Sequence, residues 1–205
     1  MTENPDPSPH WKFWPPGVPH EIDIGDRTLW DVLADAAQAA PARVALDFLG
    51  RSLTRQQLLA DATALAGALQ SLGLQPGGRV VLLAQNCPQF VIAFHAILRA
   101  GGVVVPVNPM NKAREIEHCL RDSGARIAIS ARDLAGELVK ASDSLGAAQG
   151  LQHLVHFGIG DSVQDSPALP APWRDWLLTP TSAPAGGHAQ DRKSTRLNSS
   201  HRLTS

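Results

Sequence analysis

Cysteine is scarce in this chain: Cys87 and Cys119 are the two in 205 residues. That is too few for a disulfide scaffold and suits a reducing cytoplasm. An excess of either charge is missing as well, with 18 Lys and Arg against 19 Asp and Glu. This balance offers no electrostatic basis for binding nucleic acid or an anionic membrane surface. No long apolar run exists. The most apolar stretch, Phe90 to Val107, is broken by His95, Arg99, Gly101-Gly102 and Pro106. A transmembrane helix would bury those breaks in lipid, where one charge costs about 3 kcal/mol, so the stretch reads as a helix followed by a strand. Met1 to His10 is polar and Pro-rich, without the basic start and apolar stretch of a signal peptide. What remains, 43% apolar and 18% charged residues, suits a globular domain in the cytoplasm.

The pattern along the chain predicts alternating helices and strands. Pro15-Pro16-Gly17-Val18-Pro19 reads as an extended lead-in, since proline removes donors and fixes φ. Thr28 is a good N-cap for a helix carrying Leu29, Leu33, Ala36 and Ala40 at helical spacing, stopped by Pro41. Val44 to Leu49 is a β-rich run that turns at Gly50-Arg51 and returns through Ser52-Leu53. Thr54 and Gln57 form a capping box for a helix with the stripe Leu58, Leu59, Ala62, Leu65, Ala66, Leu69 and Leu72, closed by Gly73. Arg79 to Ala84 is a non-alternating apolar strand, which predicts burial on both faces and a parallel sheet. Pro88 opens a helix expected to turn Phe90, Val91, Phe94, Ile97 and Leu98 inward, with Phe94 at its buried centre. Val103 to Val107 is a strand in which Pro106 requires an end or an edge. Lys112 to Asp122 is helical through Ile116, Cys119 and Leu120. Ile127 to Ser130 is a strand, Arg132 to Ser142 a helix and Leu154 to Phe157 a last strand. The expected fold class is α/β: a doubly wound, mostly parallel sheet with helices on both faces.

Generic sites are poorly supported. A dinucleotide fingerprint is absent after the first buried strand, where Ala84-Gln85-Asn86-Cys87-Pro88 stands instead. No glycine-rich run ends in Lys-Ser or Lys-Thr to wrap phosphates; Thr181 to Gly187 contains glycine but no lysine and reads as linker. His153 and His156 lack an acidic or thiolate partner at ligand spacing and, with Val155 and Phe157 facing the core, are expected on the other, solvated or loosely packed, face of the strand. Cys87 lies near a helix N-terminus, which lowers a thiol pKa, but a small buried apolar residue is the simpler reading. His95 reads as a packed or boundary residue. No catalytic, cofactor-binding or metal-binding residue is assigned.

Several stretches, in order, resemble the N-terminal subdomain of the adenylate-forming superfamily, which includes acyl-CoA synthetases and peptide-synthetase adenylation domains. Val44 to Thr54 resembles the family hairpin, and Gln57-Leu58 with Leu65-Ala66 and Leu69 its first long helix. Leu74-Gln75-Pro76-Gly77-Gly78-Arg79-Val80 resembles the turn into the first buried strand. Asn86 to Phe90, Ala96 to Gly101 and Val104 to Pro109 continue the match, followed by Glu115 and Ser123-Gly124-Ala125. Two departures, Arg55 for an aromatic and Gly78 for an aspartate, are expected at surface turns.

The resemblance implies a fatty-acyl or medium-chain acyl-CoA ligase: ATP with Mg2+ converts a carboxylate to acyl-AMP, and CoA then displaces AMP. The family's Ser/Thr/Gly-rich loop with its lysine, its adenine and ribose contacts and its C-terminal lysine find no counterpart here. The chain is therefore expected to be a truncated and inactive piece that binds none of these cofactors. Asp191 to His201 resembles one translated frame of a sequencing adapter and is left out of fold reasoning. The expected organisation is a lead-in over 1–27, a partial AMP-binding domain over 28–160, a linker over 161–190 and a non-native tail over 191–205. The carboxylic acid and CoA would be the partners of the intact enzyme, with a homodimer possible. Two alternatives stand: a complete, non-catalytic binding or dimerisation module, or a piece of a peptide-synthetase adenylation domain or aryl-CoA ligase.

Overall fold

The computed structural model describes residues 9–21, 23, 25–162, 193–197 and 203–204. In chain order its main elements are α1 (Leu29–Ala39), β1 (Val44–Phe48), β2 (Arg51–Thr54), α2 (Arg55–Ser71), β3 (Arg79–Leu83), α3 (Pro88–Arg99), β4 (Val103–Val107), α4 (Ala113–Ser123), β5 (Ile127–Ala131), α5 (Ala135–Gln149), β6 (His153–Phe157), β7 (Lys193–Leu197) and β8 (Leu203–Thr204). The main sheet runs β4-β3-β5-β6-β7-β8, parallel from β4 through β7. The chain goes from β3 to β4 on one side and then back across to β5 on the other.

Strand periodicity divides the core in two. Val80 and Leu82 of β3 point to one cluster with Leu65, Leu69, Ala93, Ala96 and Ile97 from α2 and α3. Val81 and Leu83 point to the opposite cluster with Ile116 and Leu120 of α4 and Leu138 of α5. This is the two-faced burial that the non-alternating strand demands, and it makes the fold the expected doubly wound α/β layer. The hairpin β1–β2 is a separate antiparallel pair, turned by Leu49 at φ 46° and Gly50 at φ 83°.

Helix ends follow their sequence signals. Thr28 and Thr54 cap α1 and α2 in reciprocal boxes with Asp31 and Gln57. Pro88 occupies the first turn of α3, and Gly124 ends α4 in the left-handed conformation. Pro106 lies in the edge strand β4, where its missing N–H costs no ladder bond to the sheet interior.

Other expectations are corrected. The lead-in is not extended: Pro9–Phe13 form a 3-10 turn, and Val18 donates back to the Pro15 carbonyl at 3.3 Å. Trp14 Nε1 donates to the Val18 carbonyl at 3.1 Å, while Trp11 stacks on His20 at 4.6 Å, so aromatic packing closes the segment that the prolines begin. In α1, Leu29 is exposed while Leu33 and Ala37 are buried. In α3 the buried face is Gln89, Ile92, Ala93, Ala96 and Ile97; Phe90, Val91, Phe94 and Leu98 are only half-buried. The small residues meet the sheet because close approach of a helix favours them, and the rings fall to the flanks. Arg55 and Gly78 are not free surface turns. Arg55 opens α2 and donates to the Ala36 carbonyl of α1 at 3.1 Å, and a Cβ on Gly78 would stand 2.8 Å from the Gln75 carbonyl oxygen. Within the stretch Asp191 to His201, only Lys193–Leu197 are described, as β7; their pairing leaves the expected origin of that stretch unchanged. Thr181 to Gly187 lies outside the described residues, as does most of the 161–190 segment.

Candidate functional site

In open parallel sheets, ligands bind outside the carboxyl ends of the strands, at the point where strand order reverses. Here that point is the crevice between β3 and β5. Its rim is built from Gln85, Asn86 and Cys87 after β3, Arg132 and Asp133 after β5, and Gly158 to Asp161 after β6.

Gln89 is the centre of this rim. It sits in the first turn of α3 and is 5% exposed. Its Nε2 donates to the Gly158 carbonyl at 3.0 Å, tying α3 to the exit of β6. Because a carbonyl needs a donor, that bond fixes which end of the amide is which. Its Oε1 is then buried without a hydrogen-bond partner among the described residues, as is Gln85 Oε1. Asp161 closes the β6 exit by accepting from the Gly158 N–H at 3.0 Å, and Arg51 of β2 donates to the Asp161 carbonyl at 3.0 Å. Sequence reasoning missed Gln89; the available signal was a polar residue on the first turn after Pro88, on the same face as Ile92, Ala93 and Ala96.

Cys87 is buried, and burial pushes its thiol up to about 11, with Asp133 adding to the rise and the N–H groups of Phe90 and Gln89 opposing it. It packs in the same core cluster as Ile92 and Ala93 and favours the protonated thiol at neutral pH. His95 is half-buried, touches the Phe94 ring edge-on at 5.7 Å, and burial lowers its pKa. His153 is half-buried and His156 buried. The expectation of one shared solvated face is thus corrected: His156 lies on the face of Leu154, which α5 covers, and His153 on the opposite face with Val155 and Phe157. Among the described residues, no group of three or more His, Cys, Asp and Glu is placed to hold a metal ion.

An open groove of about 460 Å³ lies apart from the rim, lined by Thr28, Leu29, Trp30, Asp31, Leu98 and Arg99. Its polar groups already have structural work. Asp31 accepts from Thr28 N at 2.9 Å and Thr28 Oγ1 at 2.7 Å, and these bonds lower its pKa. The Arg99 guanidinium lies 5.2 Å from the centre of the Trp30 ring.

A triphosphate needs a helix N-terminus or a glycine-rich nest with free N–H groups. The described helices do not present one. Thr28 and Thr54 side chains serve the first turns of α1 and α2, and Pro88 removes a donor from α3. At α4, Glu115 accepts from Lys112 N and Glu137 from Ala113 N, each at 2.9 Å. The first turn of α5 is bonded inward, with the N–H groups of Leu134, Ala135 and Glu137 donating to Ala131, Arg132 and Leu134 carbonyls. The described residues do not fit a nucleotide phosphate site.

Residues 33–186 match the family model described as AMP-binding enzyme, and the chain belongs to that family of adenylate-forming enzymes. Among its relatives, the Bacillus subtilis long-chain-fatty-acid–CoA ligase is 41% identical over 117 residues, which are 57% of this chain and 21% of that protein. The Streptomyces viridochromogenes phosphinothricin tripeptide synthetase PhsC is 33% identical over 161 residues, 78% of this chain and 15% of that protein. The crystal structure of the anthranilate CoA ligase AuaEII in complex with anthranoyl-AMP aligns with a TM-score of 0.58 at 26% identity, covering 81% of this chain and 31% of that one. The chain thus spans about a fifth of the length of the Bacillus ligase it matches. No helix among the described residues is long and apolar enough to cross a membrane.

Proposed function

We propose that this chain is the opening part of a longer acid–thiol ligase, one that activates a fatty or medium-chain carboxylate with Mg-ATP and transfers the acyl group to CoA. The observation that carries the reading is the 41% identity to a long-chain-fatty-acid–CoA ligase. On this reading residues 1–27 are a lead-in, 28–160 a partial AMP-binding domain, 161–190 a linker and 191–205 an adapter-derived tail. The phosphate-binding loop and the lysines of the reaction lie in further sequence, so the 205-residue chain itself is inactive. A cytoplasmic setting and a homodimer belong to the same proposal. A second reading, an aryl-CoA ligase or peptide-synthetase adenylation domain, draws support from AuaEII and PhsC.

The test is the gene beyond the codon for Gln190. It is expected to stay open and encode a Ser/Thr/Gly-rich loop with a lysine; an in-frame stop without that loop overturns the proposal and favours a non-catalytic module. The encoded longer protein should exchange pyrophosphate into ATP with fatty acids in preference to aromatic acids. A preference for aromatic or amino acids would move the assignment to the second reading. The present chain should show no acid-dependent exchange, because the electrostatic stabilisation of phosphate charge is typically the largest catalytic contribution and its donors are not here.

A further inference from the structure

The exit of β6 is held from three directions. Gln89, in the first turn of α3, donates through Nε2 to the Gly158 carbonyl at 3.0 Å. Arg51 of β2 donates through Nη1 to the Asp161 carbonyl at 3.0 Å. Asp161 folds its carboxylate back onto the Gly158 N–H at 3.0 Å, and its own N–H meets the Gly158 carbonyl at 3.1 Å. Between these bonds, Ile159 shares a half-buried apolar cluster with Phe48 and Leu49 of the β1–β2 hairpin. Gln89 and Arg51 lie 69 and 110 positions along the chain from the residues they grip.

Both long-range bonds end on backbone carbonyls, so they fix the path of the chain rather than the pose of a side chain. Stability alone explains them poorly. Gln89 is 5% exposed, yet only one end of its amide is used, and Oε1 is buried without a partner among the described residues. An unmet buried acceptor costs stability that an apolar side chain of like size would not. The grip also sits at the carboxyl end of a parallel sheet, where open α/β folds bind their ligands. The family match continues through it to residue 186.

We propose that Arg51 and Gln89 are positioning residues: they set the direction in which the chain leaves β6, and thereby the placement of the phosphate-binding loop expected beyond Gln190. What is positioned rests on the ligase reading; the grip itself rests on the present chain alone. An exit left free to swing would carry that loop with it, and a misplacement of about 1 Å can lower a rate about a hundredfold.

The experiment has two arms. In the present chain, amide hydrogen exchange is compared among the unmodified protein, Arg51→Met and Gln89→Met. Exchange at Gly158 and Asp161 is expected to speed up at least about tenfold in each variant, while Val80 to Leu83 keep their protection. In the longer protein encoded by the gene, acid-dependent pyrophosphate exchange is measured for the same variants. Each is expected to raise KM for ATP about tenfold, a change that mere loss of folded protein does not produce. Arg51→Lys, which can still donate one bond to the Asp161 carbonyl, should restore most of it, and Thr54→Ala, at a cap remote from the exit, should leave it unmoved. Unchanged exchange at Gly158 and Asp161 overturns the grip. An active longer protein whose KM for ATP is the same in both Met variants overturns the positioning and leaves the ligase reading standing. A longer protein with no acid-dependent exchange even when unmodified overturns the ligase reading and the positioning together.

Discussion

The two faces of the sheet are bordered differently, by aliphatic and small residues on one and mainly by aromatic rings on the other. On the α4–α5 side, two helices close over β3, β5 and β6, with Ile116, Leu120, Leu138 and Ala128 fully buried. On the other side, α1, α2, α3 and the β1–β2 hairpin share the work and still leave Trp30, Leu46, Phe48, Phe90 and Phe94 half-buried around a solid centre. The second face is therefore a tight seam, where Ala93 and Ala96 meet Leu65, Leu69 and Ile97, with a loose aromatic border. Burial of apolar area scales with what is removed from water, so the seam, not the border, holds this layer.

The strongest way to break that contrast is to truncate one residue from each zone. Ile97→Ala in the seam and Leu120→Ala on the closed face, both fully buried, should each cost about 2–5 kcal/mol. Phe94→Ala in the border should cost less than either. Urea unfolding of the three variants checks the order, and Phe94→Ala as the most damaging would reverse the picture of α3.

A smaller effect is expected where the seam begins. The turn before β3 meets the turn before β4 through Gly77 N to Gly101 O and Val103 N to Gly78 O, both 2.8 Å. Gly78→Ala pushes a methyl against the Gln75 carbonyl and the Leu74 side chain, and overpacking of this kind costs about 1–3 kcal/mol. An unchanged unfolding midpoint would show that the turn relaxes freely. The capping hydroxyl comes next: Thr54→Ala should cost about 1 kcal/mol, read in the same assay.

The smallest effect concerns the closed face and pH. Glu137 has a lowered pKa, because Lys140 Nζ and the Ala113 N–H donate to its carboxylate. Its folded pKa is below the unfolded one, so its contribution is complete above the ordinary carboxylate value and fades as pH falls through the folded one. Stability measured from pH 7 down to pH 3 should therefore decline slightly less steeply in Glu137→Gln than in the unmodified protein. Identical slopes would show that solvent screens the contact.

The sequence legibly encoded whatever is local. Capping boxes, Gly73 and Gly124 as stops, Pro88 as a start and the continuous apolar β3 all act through backbone donors and φ/ψ preferences within a few residues. They set where elements begin, and β3 set that the sheet must be covered twice. The orientation of α3 was not local. Its apolar residues surround the helix, so periodicity cannot choose a face, and close contact with β3 and β5 selected Ala93 and Ala96 over the phenylalanines. The burial of His156 depended on α5 crossing behind β6, and the shielding of Gln89 on Gly158, 69 residues away along the chain. The pairing of Lys193–Leu197 with β6 was least legible of all, because a backbone ladder needs an edge and an extended segment rather than a side-chain pattern. Sequence by itself decided the elements and their class, since those follow from short-range sterics and hydrogen bonding; tertiary structure alone decided which faces, amides and edges meet, since those depend on what packs against them.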